Sequence, residues 1–313
     1  MKIIYLYKKG YPNMKRKNSV ENQSTTAVQI PFTNSSVTSK DDTTISYRQL
    51  GQGPGLVMLH GTMESAQSHM QLAGALSDAF TVYLPDRRGR GQSGPCGDDY
   101  SIKKEVEDLD ALLTETGACF VFGVSVGAIV CLQAALSLPA IRKAAIFEPP
   151  IIINGSVSTG FLTRYDEEIA QGDVASALVT GMLGSQMGPP VFSSIPRWLL
   201  KLLTKMMMAS EDKKAKGDDV TMRMLAPTMH YDLQLAVESE GLMENFKAIS
   251  TELLLLGSSK SPSYFKVALN ALEKALLHAR RIEFPGLNHG ASGNTNRGGQ
   301  PERVAQELRR FFI

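Results

Sequence analysis

Short runs that are apolar at every position, among them "LVML" (56–59), "CFVFGV" (119–124) and "LLLLG" (253–257), alternate along this chain with longer segments of helical spacing. A strand with apolar residues on both sides must be covered on both sides, and a parallel sheet packed between helices does this. The expected fold class is therefore α/β. The alternation can be followed along the chain. A hairpin over 37–50 turns at Asp41-Asp42. Strands are expected at 55–61 and 80–86, with a helix at 68–79 between them. Residues 101–117 read as an amphipathic helix capped by Ser101 and stopped by Gly117. A strand (118–125), a helix (126–138) and a strand (141–150) come next. After a gap the pattern resumes with strand 251–259, helix 261–277, strand 279–286 and helix 301–312.

A length of 313 residues suits one α/β domain with an insertion. The gap, residues 151–248, is helical in pattern with Gly and Pro breaks and no strand. It is expected to form a helical cap over the carboxyl ends of the strands, where open α/β sheets bind ligands. The core is then 37–150 together with 249–313. Residues 1–36 are expected to be a disordered basic and polar arm, in which Lys2, Lys8, Lys9, Lys15, Arg16 and Lys17 stand without an acid before residue 20. The apolar run Ile3 to Tyr7 is shorter than the roughly 7–15 residues of a signal-peptide core. No run approaches the roughly 18 apolar residues of a membrane span. A net charge of +2 with 43% hydrophobic residues argues against a nucleic-acid partner or a membrane surface. Three cysteines without a C-x-x-C pair argue against a disulfide framework and a thiolate zinc site, and point to a cytoplasmic home.

One junction carries chemistry. In "VFGVSVGAIVCLQAA" (121–135) a strand breaks at Ser125, between Gly123 and Gly127, and runs directly into a helix. Glycine-flanked serines also occur in plain turns, but a strand before and a helix after are the context of a nucleophile elbow. Small flanking residues let strand and helix close on a strained serine, and the helix starting at Val126 turns its positive end toward the hydroxyl. A serine needs a base. Of the five histidines, His289 leaves the last strand in "FPGLNHGAS", on the same edge of the sheet as the elbow. His60 is expected to shape the loop after its strand, and His69 and His278 to be packing or surface residues of helices. His230 falls in the cap as a candidate substrate contact. Donors for an oxyanion are expected from "LHGTMES", at the N–H of Thr62 or Met63 with Thr62 preferred, opposite the N–H of Val126.

Four signals stand in one order: "HG" after the third strand, "PDRRGRGQSG" (85–94) after the fourth, "GVSVG" at the elbow and "PGLNHG" after the last. From about residue 40 to 313 the chain resembles the α/β-hydrolase superfamily. The resemblance implies a mostly parallel eight-stranded sheet with helices on both faces, and a structural role for Asp86 as a cap of its own loop. It also implies a triad acid, usually an Asp shortly after strand seven. Here that stretch reads "LLLLGSSKSPSYFK", with Lys260 at the expected position and no carboxylate between Glu252 and Glu273. Glu148, ending strand six in "AAIFEPP" with Pro149-Pro150 locking the backbone behind it, is the replacement. This resembles haloalkane dehalogenases and the lactone hydrolases acting on zearalenone. Asp232 of "HYDLQ" is the alternative acid.

The cap is rich in methionine from Met182 to Met243, which suits either helix packing or an adaptable apolar substrate wall. Within it, "IPRWLLKLLTKMMM" (195–208) sets Arg197, Lys201 and Lys205 on one helix face, expected to be solvated. Met63, His230 and Trp198 are the candidate substrate contacts. The resulting expectation is a serine hydrolase, of carboxylesterase or lactonase type, for a small apolar ester or lactone. Ser125, His289 and Glu148 form its triad, and it needs no metal or organic cofactor. A ligand-binding protein with an idle triad, and an acyltransferase or C–C bond hydrolase using the same pair, are the rival readings. Nucleic acid and stable membrane insertion are not expected, and a homodimer stays open.

Overall fold

The computed structural model describes residues 30–276 and 278–313. The expected arm lies for the most part outside these residues. Eight strands form one sheet: β1 (Thr33–Thr38), β2 (Thr44–Gly51), β3 (Gly55–Leu59), β4 (Thr81–Pro85), β5 (Phe120–Val124), β6 (Lys143–Phe147), β7 (Glu252–Ser258) and β8 (Arg280–Phe284). Their order is β1-β2-β4-β3-β5-β6-β7-β8, with β1 and β2 antiparallel to their neighbours and the rest parallel. The helices are α1 (Met70–Leu76), α2 (Ile102–Thr116), α3 (Val126–Ser137), α4 (Leu162–Ala170), α5 (Val174–Gly184), α6 (Arg197–Lys214), α7 (Met222–Leu225), α8 (Met229–Glu238), α9 (Met243–Phe246), α10 (Ser263–Ala275) and α11 (Pro301–Phe312). No helix among the described residues is long and apolar enough to cross a membrane.

Apolar runs became buried strands because alternate residues enter two different cores. Val121, Ala144, Ile146, Leu253 and Leu255 pack with α2, α3 and α10. Phe120, Phe122, Ala145, Phe147, Leu254 and Leu256 pack on the other face with α1 and α11. Period-2 side-chain alternation does the sorting. The order β4-β3-β5 means that the chain leaves β3 toward one side and returns to the other, and ligands bind at such a reversal. The loops after β3 and β5 therefore meet at one point of the carboxyl edge.

β1 starts at Thr33, four residues ahead of the expected boundary at 37, and pairs with β2 from Thr33↔Gln49. Its sequence TNSSVT is almost wholly exposed, so no apolar signal marks it. Gly117 ends α2 at φ 65, as a left-handed stop should. Ser101 stands at the start of that helix without a side-chain cap bond. Instead Glu238 of α8 accepts the Ile102 N–H at 2.8 Å.

Between β6 and β7 the described chain runs through α4 to α9 without a strand. Buried charge joins this insertion to the core. Arg87 donates to Glu105 and, at 3.0 Å, to Asp232 of α8. Arg90 donates to the same Asp232 oxygen at 2.5 Å. All four side chains are out of contact with solvent, so each charge is matched by a partner rather than by water. The basic residues of "PDRRGRGQSG" are thus structural. Asp86 accepts from Gln92 N within its own loop and from Ala66 N at 2.8 Å, so it ties that loop to the one after β3 as well.

Candidate active site

Sheet register sets the site. Val124 pairs with Phe147 and Phe147 with Leu256, so Ser125, Glu148 and Gly257 follow one another across three adjacent strand ends. Ser125 has φ 55 and ψ −121, a strained left-handed conformation for a residue with a Cβ. Its N–H still reaches Phe147 O at 2.9 Å, prolonging the ladder, and α3 begins at the next residue. The two glycines make room for this. A Cβ on Gly123 would lie 2.4 Å from Gly127 O, and one on Gly127 would lie 2.6 Å from the carbonyl oxygens of both Leu59 and His60. A Cβ on Gly61 would lie 2.9 Å from that of Ser125, so the loop after β3 presses directly on the serine.

Glu148 also has positive φ, at 46, ahead of Pro149. Its carboxylate is buried and fully engaged. Oε1 accepts the Ser258 N–H at 2.6 Å, and Oε2 accepts the Ser261 hydroxyl at 2.8 Å and His289 Nδ1 at 2.7 Å. The segment after β7 that lacks an aspartate thus supplies two donors to a carboxylate from β6. Phe265 of α10 stacks on the His289 ring, centroids 4.1 Å apart and planes 11° from parallel. With Nδ1 donating to Glu148, the lone pair of His289 sits on Nε2, as a general base requires. The other carboxylate considered for this role, Asp232, is held by Arg87 and Arg90 instead.

The loop after β3 is built around two histidines. His60 is buried, its Nδ1 donates to Gly61 O at 2.9 Å, and its Nε2 accepts the Arg87 N–H at 3.1 Å. Only the neutral ring fits this pair of partners, and burial, then Arg87 and Arg90, holds its pKa well below the usual 6.5. Gly61 N–H is taken by Glu64 Oε2 at 2.8 Å, whereas Thr62, Met63 and Val126 have no acceptor for their N–H among the described residues. His69, expected as a packing or surface residue of a helix, ends the 3-10 turn ahead of α1. It is buried, and it bonds Glu64 and the Ser292 carbonyl. Burial opposes its charge, but Glu64 overrides this and raises its pKa above 6.5. His278 lies in the turn beyond α10.

These two rings set opposite pH slopes on stability. Below pH 6.5 the unfolded chain protonates His60 and the folded one does not, so stability falls as pH decreases. Above pH 6.5 the folded chain keeps the His69 proton and the unfolded one does not, so stability falls as pH increases through the folded value. Unfolding free energies from urea titrations are expected to fall on both sides of about pH 6.5, each histidine contributing at most about 1.4 kcal/mol per pH unit. His60→Gln should flatten the acid limb alone.

Met63 is at the site's edge, in the same loop, and packs against Tyr165, Met229 and Leu233 of the cap. Two other candidate contacts are placed elsewhere. His230 is exposed and bonds Asp166 at 2.9 Å. Trp198 is 68% exposed on α6. Of the face expected to be solvated, Lys205 is exposed, whereas Arg197 and Lys201 are part-buried against Glu168, Thr180 and Asp173, and Trp198, Leu202 and Met206 are exposed beside them. Sequence reasoning missed Glu64, His69, Ser258, Ser261 and Phe265. Three serines around the vacant aspartate position were the available signal for two of them.

Ser125 and Glu148 thus follow the ends of neighbouring strands, and His289 is joined to Glu148. The sequence model of the alpha/beta hydrolase family matches residues 56–307, and the chain belongs to that family. Over 96 residues it is 36% identical to pimeloyl-[acyl-carrier protein] methyl ester esterase of Aeromonas hydrophila, taking in 30% of this chain and 37% of that one, little more than a third of the relative's length. Over 258 residues it is 23% identical to the uncharacterized hydrolase YraK of Bacillus subtilis, covering 79% of this chain and 86% of that one. The crystal structure of an alpha/beta hydrolase from Sphaerobacter thermophilus matches with a TM-score of 0.71 at 28% identity, covering 89% of this chain and 100% of that one.

Proposed function

We propose that the protein is a serine hydrolase that cleaves a carboxylic ester or lactone of a small, largely apolar substrate through an acyl-enzyme. The observation that carries this reading is the 2.7 Å contact between His289 Nδ1 and a Glu148 carboxylate with two further donors, beside a serine at φ 55. Ser125 Oγ attacks the acyl carbon as His289 Nε2 takes its proton. The N–H groups of Thr62 and Val126 receive the developing oxyanion. The C–O bond breaks as His289 returns the proton to the leaving alkoxide, and Glu148 stabilises the imidazolium in between. A water then repeats the cycle on the acyl-enzyme, with His289 as base, and frees the acid. A lactone gives one hydroxy acid in place of two products. The esterase named among the relatives supports an ester as the scissile group.

A fluorophosphonate probe tests this without a substrate guess. Peptide mass spectrometry should find the adduct on Ser125, and Ser125→Ala should remove it and lower hydrolysis of short acyl esters about 10⁴-fold or more. A folded protein in which Ser125 stays unmodified with small probes would favour a ligand-binding role.

A further inference from the structure

The reaction above uses one carboxylate–imidazole pair, and the fold contains a second. Glu64 Oε2 and His69 Nε2 are 3.0 Å apart, and the same oxygen accepts the Gly61 N–H at 2.8 Å. On its other side, His69 Nδ1 lies 3.0 Å from the Ser292 carbonyl oxygen. Ser292 closes the single 3-10 turn that begins with His289. Both ring nitrogens therefore face atoms that only accept. A neutral imidazole has one N–H and satisfies one of them, whereas the imidazolium satisfies both.

We infer that Glu64 and protonated His69 are positioning residues, a part-buried clamp that holds the oxyanion loop at Gly61 against the turn carrying His289. This rests on the serine-hydrolase reading. The clamp acts in two ways. It takes the Gly61 N–H away from the reaction, while the next residue, Thr62, keeps an N–H without an acceptor among the described residues. It also neutralises Glu64, whose Oε2 would stand 3.2 Å from a Cβ on Gly61, a position only 2.9 Å from Ser125 Cβ. An unbalanced carboxylate this close to a forming oxyanion would oppose it.

Other charges around the pair are few. Arg297, in the turn after Ser292, disfavours the His69 proton, and His60 faces Glu64 but is held neutral by its own partners. Burial raises the Glu64 pKa, but the His69 charge and the hydrogen bonds from His69 and Gly61 outweigh it, so the carboxylate stays ionised well below the usual 4.5. His69 is thus the member that gives up its proton first, at a pH above the usual 6.5 of an imidazole. As pH rises through its folded value, the bond to one acceptor is lost and Glu64 is left unbalanced. Acylation slows on the alkaline side.

The test follows Ser125 phosphonylation across about pH 5 to 10 in the wild-type protein, with ¹⁵N NMR titration of the histidine rings alongside. The expected result is an alkaline fall in rate whose midpoint matches the His69 titration. Glu64→Gln should slow phosphonylation about ten- to a hundredfold and shift that titration downward, because a loop displaced by a fraction of an ångström costs this much. His69→Gln should be slow at every pH and lack the alkaline limb, which a merely structural loss of packing would leave in place. A reactive Ser125 whose rate is flat across the His69 titration overturns the clamp and leaves the hydrolase reading intact. A folded wild-type protein with an unreactive Ser125 overturns both. The wild-type profile and titration decide the matter even where a variant fails to fold.

Discussion

Glu148→Gln lowers kcat by about three to four orders of magnitude and leaves KM close to wild type; this is the result expected of steady-state ester hydrolysis. The amide is nearly isosteric, and its oxygen can still accept the Ser258 N–H where Glu148 Oε1 now accepts it at 2.6 Å. The change falls on the other atom. An NH₂ group would replace Oε2 opposite His289 Nδ1, where the acceptor now lies at 2.7 Å. Two donors cannot share that contact, so the ring takes the tautomer with Nε2 protonated and loses its function as base. Ser261 can follow the change by accepting instead of donating, so the fold should tolerate the variant. A loss below about tenfold would mean that orientation of His289 comes mainly from the stacked Phe265, and that Glu148 is not the triad acid.

Gly127→Ala should act on structure and activity together. The added methyl meets two backbone carbonyl oxygens at 2.6 Å, and backbone gives less readily than a side chain. Either α3 lifts from the end of β3 or the strand end moves, and both shifts displace the loop that presses on Ser125. A cost of about 3 kcal/mol is expected, at the upper end of overpacking. In a chain of 313 residues that lowers Tm by roughly 5 °C. Activity should fall by more than the unfolded fraction explains. Gly160→Ala is the control, since a methyl there meets nothing within 4 Å and the backbone is not left-handed. Equal melting temperatures for the two variants would show that the elbow does not depend on this contact.

The two faces of the sheet, the elbow, His289 and Glu148 were legible because each writes a local mark: an apolar run, a glycine pair, a histidine after a strand, a glutamate locked by prolines. What escaped has no such mark. β1 is paired through its backbone while its side chains stay in water, so hydrophobicity is silent about it. The orientation of α6 depends on where Glu168 and Asp173 happen to lie, and helical spacing alone cannot choose which of two faces turns inward. His69 and Ser292 are separated by 223 residues, and Ser261 and Glu148 by 113. Such partners are defined by the closed fold. The position vacant of aspartate was read correctly as a departure, but its serines became meaningful only once the register set β7 beside β6.

The link between Asp232 and the two arginines bears on modularity. A cap of this kind invites exchange or removal by engineers seeking a smaller or more open enzyme. Here Arg90 would lose its carboxylate partner, Arg87 would keep Glu105 alone, and the Ile102 N–H would be uncapped. The insertion is accordingly a keystone rather than an accessory: the buried charge cluster it completes ties its folding to that of the sheet, and the two parts should melt as one unit.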